Sequence, residues 1–159
     1  MTGMRKFFII LTALGVVSLG LVVGLLAGKA THDEFRVAER SVTGFQPYYF
    51  SQLPVAGFSL AKGSVSFTDG VLVFTLVNDV DKTLVFTEQK TPSAFDIGSL
   101  RGDKDFKTLY GQAYITDGQS RTTGTLLTDD NTWILINAPR PIGADSMQTI
   151  LNSLRKSSP

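Results

Sequence analysis

The chain has 159 residues, with 15 Lys or Arg against 14 Asp or Glu, a net formal charge of +1, no Cys and a single His. That length holds one ordinary domain. The near-neutral balance leaves no electrostatic footprint for nucleic acid, the missing Cys excludes disulfides, thiolate metal sites, Cys nucleophiles and a lipoprotein anchor, and one His excludes the multi-His zinc motifs.

Hydrophobic residues make up 43% and charged residues 18% of the chain, and the mean hydropathy is +0.12. This shift points to a membrane segment, and its source is the run from Phe7 to Gly28, FFIILTALGVVSLGLVVGLLAG, 22 residues without a charge. At ~1.5 Å per residue such a helix spans ~33 Å and matches a ~30 Å hydrocarbon core. Arg5 and Lys6 precede it and Lys29 follows it. A cleaved secretory signal is the alternative, since Gly28 and Ala30 offer small residues at a cleavage site, but the apolar run exceeds the ~7–15 residues typical of such signals. Retention as an anchor is therefore expected. A short cytoplasmic tail (residues 1–6) with two adjacent cations stays inside, and the following domain is translocated, so it is expected to be extracytoplasmic. Gly20, Gly24 and Gly28 recur every fourth residue. On a transmembrane helix they form a smooth stripe that suits a homodimer through the membrane; the bland explanation is that Gly is simply common in such helices.

Residues 29–44 are polar and mixed in charge and are expected to form a stalk, with a helix-tolerant stretch from Asp33 to Arg40. His32 lies here and is expected to be a solvated linker residue. A folded α+β domain is expected over 45–156. Asp69-Gly70, between Val65–Thr68 and Val71–Val77, carries the strongest short hairpin signal. Asn78 to Lys82 turns the chain into Thr83–Gln89. Leu109–Thr116 turns at Asp117-Gly118 into Arg121–Thr128, and Asp129-Asp130-Asn131 turns that into Thr132–Asn137. This predicts an antiparallel β-meander of six or more strands, with Tyr48–Phe50 or Gly57–Leu60 as a further one. Alternation places Leu109, Ala113 and Ile115 on one face and Tyr110, Gln112 and Tyr114 on the other.

Pro139 and Pro141 end the last strand. Asp145 then caps a helix in which Met147, Ile150, Leu151 and Leu154 form an apolar stripe. That helix is expected to pack on the sheet, with Arg155 and Lys156 in its last turn and a disordered tail over 157–159. The segment Lys90 to Lys107 shows no clear period; Phe95, Ile97 and Leu100 are its expected anchors. Its cations Arg101, Lys104 and Lys107 are the expected contacts of a partner-binding loop.

Leu53-Pro54-Val55-Ala56-Gly57-Phe58 resembles the "LPxGY/F" opening of an uncharacterised bacterial domain family. The strand ending in Glu88-Gln89, the Gly111-Gln112-Ala113 strand, the late Trp133 strand and the closing helix with Ser153-Leu154 are similar to its other marks. That family recurs in extracytoplasmic parts of anti-sigma-factor-like and other single-pass membrane proteins. The resemblance covers roughly Tyr48 to Leu154 and implies a cell-envelope domain with no catalytic residues to transfer.

The search for chemistry yields turn residues. Asp79-Val80-Asp81 lacks the Gly and Glu that complete a calcium loop, and no GxSxG, P-loop or GxGxxG is present. No cofactor, metal or catalytic residue is predicted. The expected function is a membrane-anchored extracytoplasmic binding or interaction domain, its partner an envelope protein. The alternative is a carrier or sensor of an apolar or lipid ligand held between Trp133, Phe74, Phe86 and the helix.

Overall fold

Short strands joined by tight turns dominate the computed structural model of the protein, which describes residues 32–80, 82–96 and 102–157. In chain order the elements are α1 (His32–Glu39), β1 (Tyr48–Phe50), β2 (Ser59–Leu60), β3 (Ser66–Thr68), β4 (Val71–Val77), β5 (Thr83–Lys90), β6 (Lys104–Lys107), β7 (Gly111–Asp117), β8 (Thr122–Thr128), β9 (Thr132–Ala138), α2 (Ala144–Ser153) and β10 (Leu154–Lys156). The apolar run 7–28 with Gly20, Gly24 and Gly28, and the loop residues Ile97, Leu100 and Arg101, lie outside the described residues. Among the described residues no helix is long and apolar enough to cross a membrane.

The turns follow from their residues. Asp69 and Gly70 take φ of 52° and 77°, the left-handed pair whose twist matches a two-residue hairpin. The Asn78 side-chain oxygen accepts hydrogen bonds from the amides of Val80 and Lys82 at 3.2 and 2.9 Å, folding the chain from β4 into β5. Gly118 N–H donates to the Arg121 carbonyl at 2.9 Å, and Asn131 at φ 64° closes the β8–β9 turn. The Leu53–Phe58 stretch is built the same way. Val55 and Phe58 exchange backbone hydrogen bonds at 2.9 and 2.8 Å across Ala56 and Gly57, which stand at φ 47° and 82°, and both flanking side chains are buried.

All pairings are antiparallel, and the main sheet has the order β2-β4-β5-β9-β8-β7-β6, with β3 sharing the outer edge of β4. It is two meanders joined by the β5–β9 pair rather than one continuous meander. The chain leaves β5 in mid-sheet and must pass three strands to reach β6 at the far edge, which is why the 90–107 connection is long. Its last part, Lys104–Lys107, is the edge strand β6 and not loop.

Register sorts the side chains onto two faces. Phe74, Phe86, Ile136, Gly124 and Ile115 lie in one cross-strand row, and Leu72, Glu88, Ile134, Leu126 and Ala113 in the next. This face is the core. Phe74 and Phe86 stack at 4.5 Å, Phe50 meets Phe86 edge-on, and Phe35 and Tyr49 close over Phe74. Met147, Ile150 and Leu151 of α2 are buried where that helix crosses β7 and β8.

Five further expectations give way to the structure. The stretch expected as a stalk belongs to the domain: Phe35 of α1 is 1% exposed and stacks on Tyr49 at 3.8 Å. Asp145 does not cap α2. Gly143 holds the cap position, and Asp117, remote in sequence, accepts from the Ala144 amide at 3.0 Å. Leu154, Arg155 and Lys156 are not helical; Leu154 turns extended and starts β10, which pairs with β1. Leu109 precedes β7 and is 77% exposed, while Ala113 and Ile115 are buried. Ser157, expected in a disordered tail, donates its amide to the Pro47 carbonyl at 3.0 Å.

Candidate functional site

The β1–β10 ribbon gathers the most unusual polar groups among the described residues. Tyr48, Tyr49 and Phe50 pair with Lys156, Arg155 and Leu154, and all three β1 side chains are buried. The ribbon is tied at its open end by the Gln46 side-chain amide, which donates to the Ser157 carbonyl at 2.7 Å. Thr132 donates to the Gln46 carbonyl at 2.8 Å.

One end of the ribbon carries a hydroxyl–carboxylate–ammonium cluster. Tyr48 O–H donates to Asp130 at 2.9 Å, the Thr128 hydroxyl donates to the other Asp130 oxygen, and Lys156 pairs with Asp130 at 3.0 Å. The Lys156 ammonium also stands 6.0 Å from the Tyr110 ring centre, and Tyr110 meets Tyr48 edge-on at 5.2 Å. Burial alone would raise the Asp130 pKa, but the hydrogen bonds from Thr128, Lys156 and Tyr48 outweigh it and hold the carboxyl below its usual range. Burial, then the hydrogen bond to Asp130, pushes the Tyr48 phenol up. A phenol raised in this way stays protonated and serves as a donor, so the cluster locks β1, β10 and the β8–β9 turn together.

Beneath the ribbon lies Glu88. It sits in mid-sheet between Leu72 of β4 and Ile134 of β9 and is 0% exposed. One carboxyl oxygen accepts from the Tyr48 amide at 2.9 Å, and the other has no hydrogen-bond partner. Glu39, the last residue of α1, is 5% exposed and also has one buried oxygen without a partner. Burial first, and then the charge of Glu39, push the Glu88 pKa well above the carboxylate range, against the Tyr48 amide that lowers it. Neither Glu is in an ion pair with a described residue, unlike Asp130 with Lys156 and Asp145 with Lys104. Neither acid stands out in the sequence as a candidate site residue. Leu84, Phe86 and Glu88 alternate along β5, and that period-two position was the available signal for a carboxyl on the core face.

At its other end the ribbon borders an open groove of about 300 Å³ between Pro54, Val55 and Ala56 on one side and Thr149, Ser153 and Arg155 on the other. Thr149, Ser153 and Arg155 already serve the helix end. Thr149 and Ser153 donate to the carbonyls of Asp145 and Thr149 at 3.0 and 2.7 Å, and Arg155 donates to Asn152 and Leu154 at 2.8 and 2.6 Å.

Of the expected partner-contact cations, Lys104 and Lys107 are not brought to the ribbon. Lys104 and Lys107 sit at the two ends of edge strand β6; Lys104 is held by exposed Asp145 at 3.3 Å, and Lys107 is exposed. The space proposed for an apolar ligand is not formed by those residues. Phe74 and Phe86 are covered by aromatic side chains, whereas Trp133 pairs with Gln89 and Leu127 in the neighbouring register, faces away from the core and rests on Phe95 at 4.5 Å. No group of three or more His, Cys, Asp or Glu among the described residues is placed to hold a metal ion. No protein-family model and no curated protein matches the chain.

Proposed function

We propose that the chain is a single-pass, membrane-anchored protein whose domain works outside the cytoplasm as a binding or interaction module. The observation that carries this reading is the uncharged run 7–28, bracketed by Arg5, Lys6 and Lys29, a few residues ahead of a domain whose first helix is already packed into its core. A filled core favours a surface role over an enclosed ligand. The polar cluster at Asp130 is engaged in its own hydrogen bonds, which favours a structural over a catalytic use. The surface proposed for the partner is edge strand β6, with Lys104, Lys107 and neighbouring Arg101, because a free strand edge offers unpaired backbone groups to a second chain.

Protease treatment of intact cells and of permeabilised cells, followed by intact-mass analysis of the membrane fraction, tests the topology. Digestion of the domain from outside, with the N-terminus retained in the membrane species, is the expected result. A mature species starting near Thr31, or protection of the domain until the membrane is opened, would overturn the anchor or its orientation. Crosslinking of the wild type against a variant with Arg101, Lys104 and Lys107 all changed to Ser tests the edge, and an identical set of crosslinked partners removes it.

A further inference from the structure

Two acids are buried where α1 packs on the sheet, and among the described residues neither is in an ion pair. Glu88 comes from the middle of the sheet and Glu39 from the end of α1, and each has one oxygen out of reach of water and of any hydrogen-bond partner. A carboxyl oxygen in that position is costly when ionised and tolerable when the group carries a proton, because the charged form loses its hydration without compensation. The charge of Glu39 adds to the cost that burial already sets on ionising Glu88. Among the described residues the charge that reaches Glu88 is that of Glu39. Leu72 and Ile134 flank Glu88 on β4 and β9, and β1 supplies the Tyr48 amide. Glu34 is engaged elsewhere, accepting from the Gly63 amide at 2.7 Å, and its charge acts on Tyr49. Asp33, Arg36 and Arg40 of the same segment are exposed.

We infer that Glu88 is a proton-operated latch on α1: with a proton on Glu88, α1 and its buried Glu39 are docked against the sheet, and loss of that proton to water sets an uncompensated charge against Glu39 and releases α1 while the sheet stays folded. α1 suits such a part. It is short, it is anchored mainly by Phe35 stacked on Tyr49 and by the Glu34–Gly63 hydrogen bond, and the Glu39 carboxyl leaves with it, so release removes the like charge and admits water to Glu88. The latch does not depend on the membrane reading.

The sign follows from linkage. The docked state holds the proton more tightly than the released state, so docking is complete below the ordinary glutamate range and weakens as pH rises through the docked value. One proton makes the release constant climb about tenfold per pH unit across that window.

Hydrogen exchange of the full chain in a mild non-ionic detergent, read at the α1 amides over a pH series, measures this. Each pH is compared with Glu88→Gln, which keeps the shape and removes the charge and cancels the intrinsic pH dependence of exchange. The wild-type α1 amides should exchange progressively faster than those of E88Q, about tenfold per pH unit, with β4, β5 and β9 still protected. Parallel profiles for wild type and E88Q, or loss of sheet protection in step with α1, would overturn the latch. Should E88Q not fold, Glu39→Gln and carboxyl carbon-13 titration of the wild type decide. A weaker pH dependence in E39Q and a Glu88 carboxyl that titrates above the ordinary glutamate range support the latch, and titration of Glu88 at the ordinary glutamate value overturns it.

Discussion

Gly111 and Gly124 are both close-contact glycines, but what they touch differs. A side chain at Gly111, which stands at φ 154°, would place its Cβ 2.0 Å from the Leu127 carbonyl oxygen, in the backbone of the neighbouring strand. At Gly124 it would meet the Met147 sulfur at 2.6 Å and Cγ at 2.9 Å, atoms of a flexible side chain that can swing aside. Gly111→Ala should therefore cost well over ~2 kcal/mol, combining overpacking with backbone strain, whereas Gly124→Ala should cost ~1 kcal/mol or so as Met147 repacks. Urea denaturation of the two variants checks this, and equal costs would mean that β8 moves as readily as Met147. At this scale the turn residues were legible in the sequence, because Asp69, Gly70 and Asn131 act through their own backbone. Glu88 and Glu39 were not, because their meaning comes from where α1 docks, and their local sequence states only that two acids are present. Asp117 was legible as a turn residue alone; its second role, accepting from the Ala144 amide, depends on the sheet delivering it to the helix end.

Among the elements, the C-terminal helix shows where local pattern stops. Its apolar stripe was readable because the helical period fixes which residues share a face, and Met147, Ile150 and Leu151 are buried as that period requires. The stripe also contains Leu154, and the period alone cannot say that the backbone changes to extended there. The change is decided by β1, whose Phe50 lies opposite Leu154, far away in the sequence. Leu154 is fully buried from its new position, so Leu154→Ala should still cost ~2–5 kcal/mol. Asn152→Ala, at an exposed site, should fall within ~0.5 kcal/mol of wild type. Thermal unfolding of both variants separates them, and a small effect at Leu154 would show that the ribbon does not hold the C-terminal end. The same tertiary override explains α1. Its polar composition resembles a linker, yet Phe35 is enough to seat it among Tyr49 and Phe74.

For the whole molecule, the β3–β4, β4–β5, β7–β8 and β8–β9 hairpins were legible; the β6–β7 hairpin was not, and neither were the β5–β9 and β1–β10 pairs, since nothing local marks which distant strands will meet. Those two non-local pairs place the ionisable groups that set the pH response. Asp130, held by Thr128, Lys156 and Tyr48, has a lowered pKa. It stabilises the fold above the ordinary aspartate range, and that contribution is lost as pH falls through its folded value. Glu88 has a raised pKa, so its contribution is complete below the ordinary glutamate value of ~4.3 and is lost as pH rises through its folded value. Stability should therefore peak on the acid side of neutrality. From about pH 5 upward, until Glu88 is ionised, each pH unit removes at most ~1.4 kcal/mol, or roughly 3–6 °C in Tm for a domain of this size. Glu88→Gln should flatten this alkaline limb, because its amide carries no charge to desolvate. Asp130→Asn should leave the alkaline limb in place and remove most of the acid limb, while lowering Tm at neutral pH through loss of the Lys156 ion pair and the charge-assisted Tyr48 and Thr128 hydrogen bonds. Melting curves of the three proteins over that pH range make the comparison. A wild-type profile that stays level above pH ~5, or an E88Q profile that falls in parallel with it, would show that the buried carboxyl is not what ties the fold to pH.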